Sequence, residues 1–202
     1  MISEQTERKS FAPPTPDQVL NIAEKHLDIQ CNNLFRPLNS YINRVYELQG
    51  VNGEGLIIKF YRPGRWTTEA LLEEHLFLME IEKQEIPVVV PLVLNNGETI
   101  AESDGYRFAI FPKFGGRSSD EFSDDQWLEL GRMLARVHNI GERLEVVARP
   151  IMKPEESTRQ QQLFLIDSGL IQDELVSQFK DVVDELIEQI TPMFHDTALI
   201  PI

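Results

Sequence analysis

Lys59 is the residue whose position first suggests chemistry. It interrupts a strand-like run, residues 56–60, whose other members are Leu, Ile, Ile and Phe. A lysine ammonium in such a run needs an exposed face or an anionic partner, because burying an unpaired charge is costly. One interpretation is an alternating strand whose Lys59 points to solvent. The other is a cation that meets an anionic group such as a phosphate, whose charge must be oriented and neutralised for transfer.

Histidine and cysteine residues predict neither a metal site nor a nucleophile. The chain has four histidines, His26, His75, His138 and His195, without metal-like spacing and without a neighbouring cysteine. Cys31 is the single cysteine, which excludes an internal disulfide framework. Because no base lies beside it in the sequence, we interpret Cys31 as a small packing residue.

The elements that carry Lys59 are predicted to form a strand hairpin. Residues 43–48 and 56–61 have strand-like composition, and they flank an Asn-Gly pair at positions 52–53 that suits a tight reversal. Further strand-like runs cover residues 88–94, 99–101 and 106–111. About five strands are therefore expected.

Two helices accompany these strands. Thr15 followed by Pro16 predicts the start of the first, and an apolar stripe continues it to Leu27. The second is expected from about residue 69 to residue 83, capped by Thr67 or Thr68. Strands and helices together predict an α+β lobe.

A Gly-rich joint separates this lobe from helical sequence. Gly115-Gly116-Arg117 is followed by a capping-box-like start at Ser123, by helical spacing up to His138, and by a second apolar stripe over residues 171–190. We therefore expect four segments: a flexible arm over 1–14, a sheet-bearing lobe over 15–112, a hinge over 113–118 and a partial helical lobe over 119–202. A crevice between two lobes is a common ligand site.

Composition narrows the partners and the compartment. The 202 residues carry 33 acidic and 19 basic side chains, a net charge of −14, which opposes attraction to nucleic acid or anionic membranes. No apolar stretch is long enough to span a bilayer, and the polar N-terminus has no signal-peptide core. With one cysteine, the protein is expected in the cytoplasm. Apolar helical stripes without a partner should favour association.

Ordered strings along the chain carry a resemblance to a known family. They are Leu-Asn-Ser-Tyr-x-Asn-Arg-Val-Tyr from residue 38, Lys-Phe-Tyr-Arg-Pro-x-Arg-Trp from residue 59, Leu-Glu-Glu-His from residue 72, Phe-Ala-Ile-Phe-Pro from residue 108, and Leu-Gly-x-x-Leu-Ala-x-x-His from residue 130. Their order resembles the aminoglycoside phosphotransferase and choline kinase superfamily, and within it the stress response kinase A family of bacterial Ser/Thr protein kinases. The resemblance implies a protein-kinase-like lobe that binds ATP.

The same resemblance implies roles for individual residues. Lys59 looks like the lysine that contacts the nucleotide phosphates, and its ion-pair partner should be a glutamate of the following helix. Glu73 and Glu74 both qualify; Glu74 is preferred because the apolar positions after it reproduce the family's spacing, although both are also plausible as solvated charges. Around Lys59, the implied nucleotide contacts are Ser40 near the phosphates, Val45 and Ile57 over the adenine, Phe111 at the back of the pocket, and Lys113 with Phe114 as the hinge.

The catalytic machinery of the family does not map onto this sequence. Family members carry a His-Gly-Asp-x-His-x-x-Asn loop whose Asp accepts the substrate proton and whose Asn helps to hold Mg²⁺, and these 202 residues contain no such string. His195-Asp196 lacks the Gly and the downstream Asn. No catalytic or metal residue is therefore assigned, the Mg²⁺ ligands are expected beyond Ile202, and the chain alone is expected to be inactive.

Three functional hypotheses remain open at this point. The first is the front part of a Ser/Thr protein kinase of the stress response kinase A type. The second is a small-molecule kinase of the same superfamily, acting on choline, homoserine or an aminoglycoside. The third is a non-catalytic module that binds a nucleotide or a protein.

Overall fold

A computed structural model describes residues 11–116, 121–196 and 199–201. The chain divides into two compact units, one that includes the described residues up to Ala148 and one that runs Arg149–Pro201. Most of the expected arm, residues 1–10, and positions 117–118 of the expected hinge lie outside the described residues. The hinge over 113–118 and the other segment boundaries stay predictions.

The first unit is built on a five-stranded antiparallel sheet, which confirms the predicted α+β class. Its strands are β1 (Cys31–Leu38), β2 (Arg44–Gly50), β3 (Gly55–Phe60), β4 (Ala101–Ser103) and β5 (Tyr106–Pro112). Their order across the sheet is β1-β2-β3-β5-β4. The β2–β3 hairpin predicted around the Asn-Gly turn is present, with Val45 opposite Lys59.

One face of the sheet is covered by α1 (Pro16–Leu27). The helix starts at Thr15-Pro16, as predicted, and Thr15 and Gln18 form a capping box there, with the Thr15 side chain accepting from the Gln18 backbone N–H. The apolar stripe of α1 packs against every second residue of the central strands, because side chains alternate between the two faces of a strand. This core contains Val19, Ile22, Ala23, Tyr46, Leu48, Leu56, Ile58, Phe60, Phe108 and Ile110.

The other face is partly covered by α2 (Thr68–Lys83). Thr67 caps α2 by accepting a hydrogen bond from the Ala70 backbone N–H. Leu71 of α2 packs with Tyr61, Ile100 and Ala109 beneath the helix. Lys59 and its neighbours therefore lie on a face that α2 covers only in part.

A third helix, α3 (Asp124–Gly141), packs on the far side of α2. Ser123 and Gln126 form the capping box that the sequence predicts. Phe77 and Ile81 of α2 form a second core together with Met133 and Val137 of α3. In the first unit, α2 is thus held between the sheet and α3, which limits its freedom to rotate.

The apolar run 88–94 is not a strand, so that prediction was wrong. Pro87 and Pro91 lack backbone N–H groups and cannot sustain a ladder of hydrogen bonds, although Leu92 N–H still donates to Ile110 C=O at 2.8 Å. The fifth strand is instead β1, whose eight residues include the polar pair Asn32-Asn33. Its register with β2 shifts between Cys31 and Phe35, which obscures any alternation in the sequence.

The second unit is helical. It contains a π-type turn (Pro154–Thr158), α4 (Arg159–Asp167), α5 (Asp173–Ile190) and a 3₁₀ turn (Thr191–Phe194). The apolar stripe over 171–190 predicted α5, and Pro192 lies in the turn that follows it. The short α4 was not predicted; its buried Gln162 donates to Lys180 C=O at 3.1 Å and to Asp184 at 2.8 Å. None of the helices in the described ranges is long and apolar enough to cross a bilayer.

Candidate functional site

Sheet register brings four of the expected nucleotide contacts onto one face. Val45 lies opposite Lys59 across β2 and β3, and Ile57 lies opposite Phe111 across β3 and β5. Cross-strand partners point to the same side of a sheet. All four side chains are only half-buried, in contrast to the fully buried residues of the α1 face. Together they form a half-buried apolar surface that includes the cation of Lys59.

Lys59 is paired with Glu74. The lysine Nζ lies 3.5 Å from Glu74 Oε1, and the side chains are 26% and 30% exposed. A half-exposed ion pair contributes only about 0.5 kcal/mol to stability, so its value lies in fixing the position of the cation. Solvent still reaches Lys59, which leaves room for an anionic ligand.

Glu73, the other glutamate considered for Lys59, has a different role. One of its carboxylate oxygens accepts from the backbone N–H groups of Val147 and Ala148, at 2.8 and 3.0 Å, and the other accepts from Ala148 at 3.0 Å. Consecutive helix residues point about 100° apart, so Glu73 and Glu74 serve different neighbours. Glu73 therefore ties α2 to the segment that follows α3.

A buried chain of polar side chains lies beneath Lys59. Tyr61 Oη lies 3.0 Å from His75 Nε2, and His75 Nδ1 lies 2.7 Å from Thr99 Oγ1. All three side chains are buried, His75 completely. A neutral imidazole has one donor and one acceptor nitrogen, and each hydroxyl can take the complementary role, so both ring nitrogens are satisfied.

Burial sets the charge state of this chain of side chains. It lowers the pKa of His75 to about 4, because desolvation of the imidazolium outweighs the attraction of nearby Glu74. Burial also raises the pKa of Tyr61. At neutral pH His75 is therefore uncharged and does not repel Lys59.

A second ion cluster lies on the same face, at Glu47 in the middle of β2. Glu47 is 6% exposed, and its carboxylate accepts from Lys113 Nζ at 2.5 Å and from the Arg36 guanidinium. The Lys113 and Arg36 cations hold the pKa of the Glu47 carboxyl below its usual range, with the Lys113 hydrogen bond the larger cause. The cluster links β1, β2 and the residue after β5.

The remaining expected contacts lie at the edges of this surface. Phe111 packs edge-on against His75, with ring centroids 5.9 Å apart. Lys113 N–H donates to Gly55 C=O at 2.9 Å, so the first residue of the expected hinge continues the sheet pairing, whereas Phe114 is 68% exposed. Ser40 lies in the exposed loop between β1 and β2.

Three polar residues of this face, Glu47, Tyr61 and His75, were not predicted as site residues. The sequence nevertheless indicates where each one lies, either through strand alternation or because it is next to a predicted residue. Glu47 and Tyr61 follow Val45 and Lys59 by two positions, which in a strand means the same face. His75 comes directly after Glu74. What the sequence does not contain is their partners, since those come from distant segments.

Two concavities of the described residues lie away from Lys59. An open groove of about 560 Å³ follows α3 and is lined by Asp124, Trp127, Leu128, Gly131, Arg132 and Ala135. Another, of about 270 Å³, lies beside the β2–β3 turn and includes Leu27, Ile29 and Leu92. Both are mostly apolar, and neither contains Lys59. The Lys59 face is the better candidate site because it combines apolar surface with a positioned cation.

The described side chains do not form a group of metal ligands. Across residues 11–116, 121–196 and 199–201, no three His, Cys, Asp or Glu side chains are grouped to hold one. The side chains of the Lys59 face instead suit a flat apolar group between Val45, Ile57 and Phe111 and an anionic group at Lys59.

Comparison with known sequences gives consistent matches. A model of the phosphotransferase enzyme family (APH) matches residues 35–194. Stress response kinase A of Escherichia coli is 36% identical over 187 residues, which cover 93% of this chain and 56% of that protein. A Salmonella typhimurium protein named serine/threonine protein kinase RdoA is 37% identical over 155 residues, 77% of this chain and 47% of its own length. The chain thus spans about half the length of these relatives.

Solved structures match the fold. A complex of amicoumacin kinase with AMP-PNP, Ca²⁺ and Ami superposes with a TM-score of 0.65 at 20% identity, covering 98% of this chain and 57% of that one. Spectinomycin phosphotransferase in complex with ADP and spectinomycin superposes with a TM-score of 0.56 at 14% identity, covering 91% and 56%. These likenesses confirm the kinase-like fold expected from the sequence.

Proposed function

This chain belongs to the phosphotransferase enzyme family and is homologous to stress response kinase A, and from that membership we propose that it binds ATP through the Lys59 face of its sheet. The Lys59–Glu74 ion pair is the observation that carries the proposal. A phosphoryl donor needs its charge held in a fixed position, and a cation braced by a glutamate from a neighbouring helix provides such a position.

The proposed position of ATP follows from the arrangement of the side chains on the Lys59 face. The adenine lies against Val45 and Ile57, with Phe111 behind it, and the phosphates extend towards Lys59. The exposed loop around Ser40 closes over the phosphates, and the backbone of Lys113 and Phe114 meets the polar edge of the adenine. The half-burial of the apolar residues supports this pose, because a bound base would remove their remaining surface from water.

We propose that these residues bind and orient the nucleotide but do not complete catalysis. The sequence contains no His-Gly-Asp-x-His-x-x-Asn string, and the described residues group no metal ligands. A bound Mg²⁺ would supply charge neutralisation at the phosphates. We infer that the chain by itself does not transfer a phosphoryl group at a rate typical of kinases.

The acceptor that we propose is a Ser or Thr hydroxyl of a protein. The Salmonella relative, which is 37% identical, is named a serine/threonine protein kinase, and this supports the choice. The amicoumacin kinase and spectinomycin phosphotransferase structures share only 20% and 14% identity and therefore support the fold alone. A cytoplasmic location, where ATP is available, agrees with this function.

Calorimetric titration of the 202-residue chain with ATP in the presence of Mg²⁺ tests the proposal. We expect saturable binding with about one site, and no binding would reject the proposed function. For the acceptor, a chimera in which this chain replaces the aligned region of the Escherichia coli relative should phosphorylate a generic protein substrate. Transfer only to choline, homoserine or kanamycin would assign the small-molecule class instead.

A further inference from the structure

We propose that Tyr61 is a positioning residue for Lys59, with its ring face restraining the lysine ammonium and its hydroxyl anchored by His75. The inference rests on the proposed nucleotide site and identifies what keeps its cation in place. Tyr61 itself is not expected to touch the nucleotide. It acts through Lys59.

The contact between Lys59 and Tyr61 follows from strand geometry. The two residues are separated by one position, so both point to the same side of β3 and its extension. Lys59 Nζ lies 4.8 Å from the centroid of the Tyr61 ring. Cations within about 6 Å of a ring centroid are attracted by the electron-rich face of the ring. Tyr61 thus offers Lys59 a contact that does not consume an anionic partner.

Tyr61 is itself fixed in place. It is 4% exposed and packs with Leu71, Ile100 and Ala109. Its backbone N–H donates to Arg107 C=O at 2.9 Å, which extends the sheet pairing beyond β3. Its hydroxyl lies 3.0 Å from His75 Nε2. A ring held at its backbone, its faces and its hydroxyl has little freedom to swing away.

Two consecutive residues of α2 therefore hold Lys59 by different routes. Glu74 contacts the ammonium directly, and His75 reaches it through Tyr61. Lysine has a long, flexible side chain, and a single 3.5 Å ion pair restrains only its end. The ring face supplies a second restraint. Since both routes start from α2, a shift of that helix would disturb both together.

Variants at Tyr61 test the proposal through ligand selectivity. The dissociation constants for ATP and for adenosine should be measured by calorimetry in wild type, Tyr61→Leu and Tyr61→Phe, with Tyr46→Leu as the matched control. Tyr46 is 5% exposed and lies in the core on the opposite face of the sheet. Adenosine has no phosphates, so its affinity should not depend on Lys59. The same samples should be used to measure Lys59 side-chain mobility by NMR relaxation at its ε-carbon.

Tyr61→Leu should weaken ATP binding about fivefold and leave adenosine binding unchanged. Tyr61→Phe keeps the ring and loses only the hydroxyl anchor, so a loss of about twofold is expected. Tyr46→Leu should not change the ATP-to-adenosine ratio. In both Tyr61 variants the ε-carbon of Lys59 should become more mobile.

An unchanged ATP-to-adenosine ratio in folded Tyr61→Leu would overturn the proposal. If that variant does not fold, an unchanged ratio together with unchanged Lys59 mobility in Tyr61→Phe would overturn it. If wild type binds no ATP, the proposed function fails, and the NMR result alone decides on Tyr61. Increased mobility then supports its positioning role, and unchanged mobility rejects it.

Discussion

Lys59 and Glu74 lie on different elements, β3 and α2, and their Nζ and Oε1 atoms are 3.5 Å apart. The contact depends on two things at once: strand alternation that turns Lys59 away from the α1 core, and a helix rotation that turns Glu74 towards the sheet. Packing of α2 between the sheet and α3 fixes that rotation. The site is therefore a consequence of how the two faces of one sheet are covered.

Neutralising each of the two neighbouring glutamates should separate their roles. Glu74→Gln removes the charge beside Lys59 and should weaken ATP binding about fivefold with little loss of stability. Glu73→Gln weakens the acceptor for Val147 and Ala148 and should lower the free energy of unfolding by about 1 kcal/mol without changing ATP affinity. Calorimetry and urea denaturation measure the two effects. Equal effects of both substitutions on ATP affinity would contradict the assignment.

Substitutions of two adjacent isoleucines of β3 should differ in their effects on stability and on nucleotide binding. Ile58 is fully buried against α1, so Ile58→Ala should lower the free energy of unfolding by about 3 kcal/mol and leave nucleotide affinity unchanged in the folded fraction. Half-buried Ile57 faces the proposed adenine site, so Ile57→Ala should cost less stability and weaken adenosine binding. Denaturation and adenosine titration provide the comparison. If Ile57→Ala leaves the adenosine affinity unchanged, the adenine does not bind against Ile57.

The sequence indicates some residues of the candidate site and leaves out others, because contacts between distant segments have no local pattern. Lys59 stood out in the sequence because it interrupts an apolar strand, whereas Val45 and Ile57 were expected only from the family resemblance; the register of the hairpin places all three on one face. Glu74 needed a helix rotation that packing decides, so the sequence left Glu73 open as well. The Tyr61–His75–Thr99 chain joins three segments, and no local pattern indicates such a long-range contact. Strand β1 was not predicted, because its polar residues and its shifted register hide the alternation of a strand.

Burial of His75 should make stability depend on pH. Its pKa falls from an ordinary 6.5 in the unfolded chain to about 4 in the folded protein. Between these values the unfolded state binds the extra proton, so the free energy of unfolding should decrease as pH falls from about 6.5 to about 4, by about 3 kcal/mol. Below that range this contribution no longer changes.

Urea denaturation at several pH values measures this effect, with His75→Gln as the matched variant. Gln keeps polar atoms at the site and does not titrate, so its stability should vary less with pH over the same range. Carboxyl groups titrate equally in both proteins and cancel in the difference. Parallel pH profiles for wild type and variant would show that His75 is not buried as a neutral imidazole.

The most direct test of the central claim is ATP titration of Lys59→Ala beside Lys83→Ala. Both substitutions remove one lysine charge from the first unit, and Lys83 lies at the exposed end of α2, paired with Glu80 at 2.5 Å. If the Lys59 face holds the nucleotide phosphates, Lys59→Ala should weaken ATP binding at least about tenfold, while Lys83→Ala should bind ATP as wild type does. Equal ATP affinity in wild type and Lys59→Ala would contradict the claim.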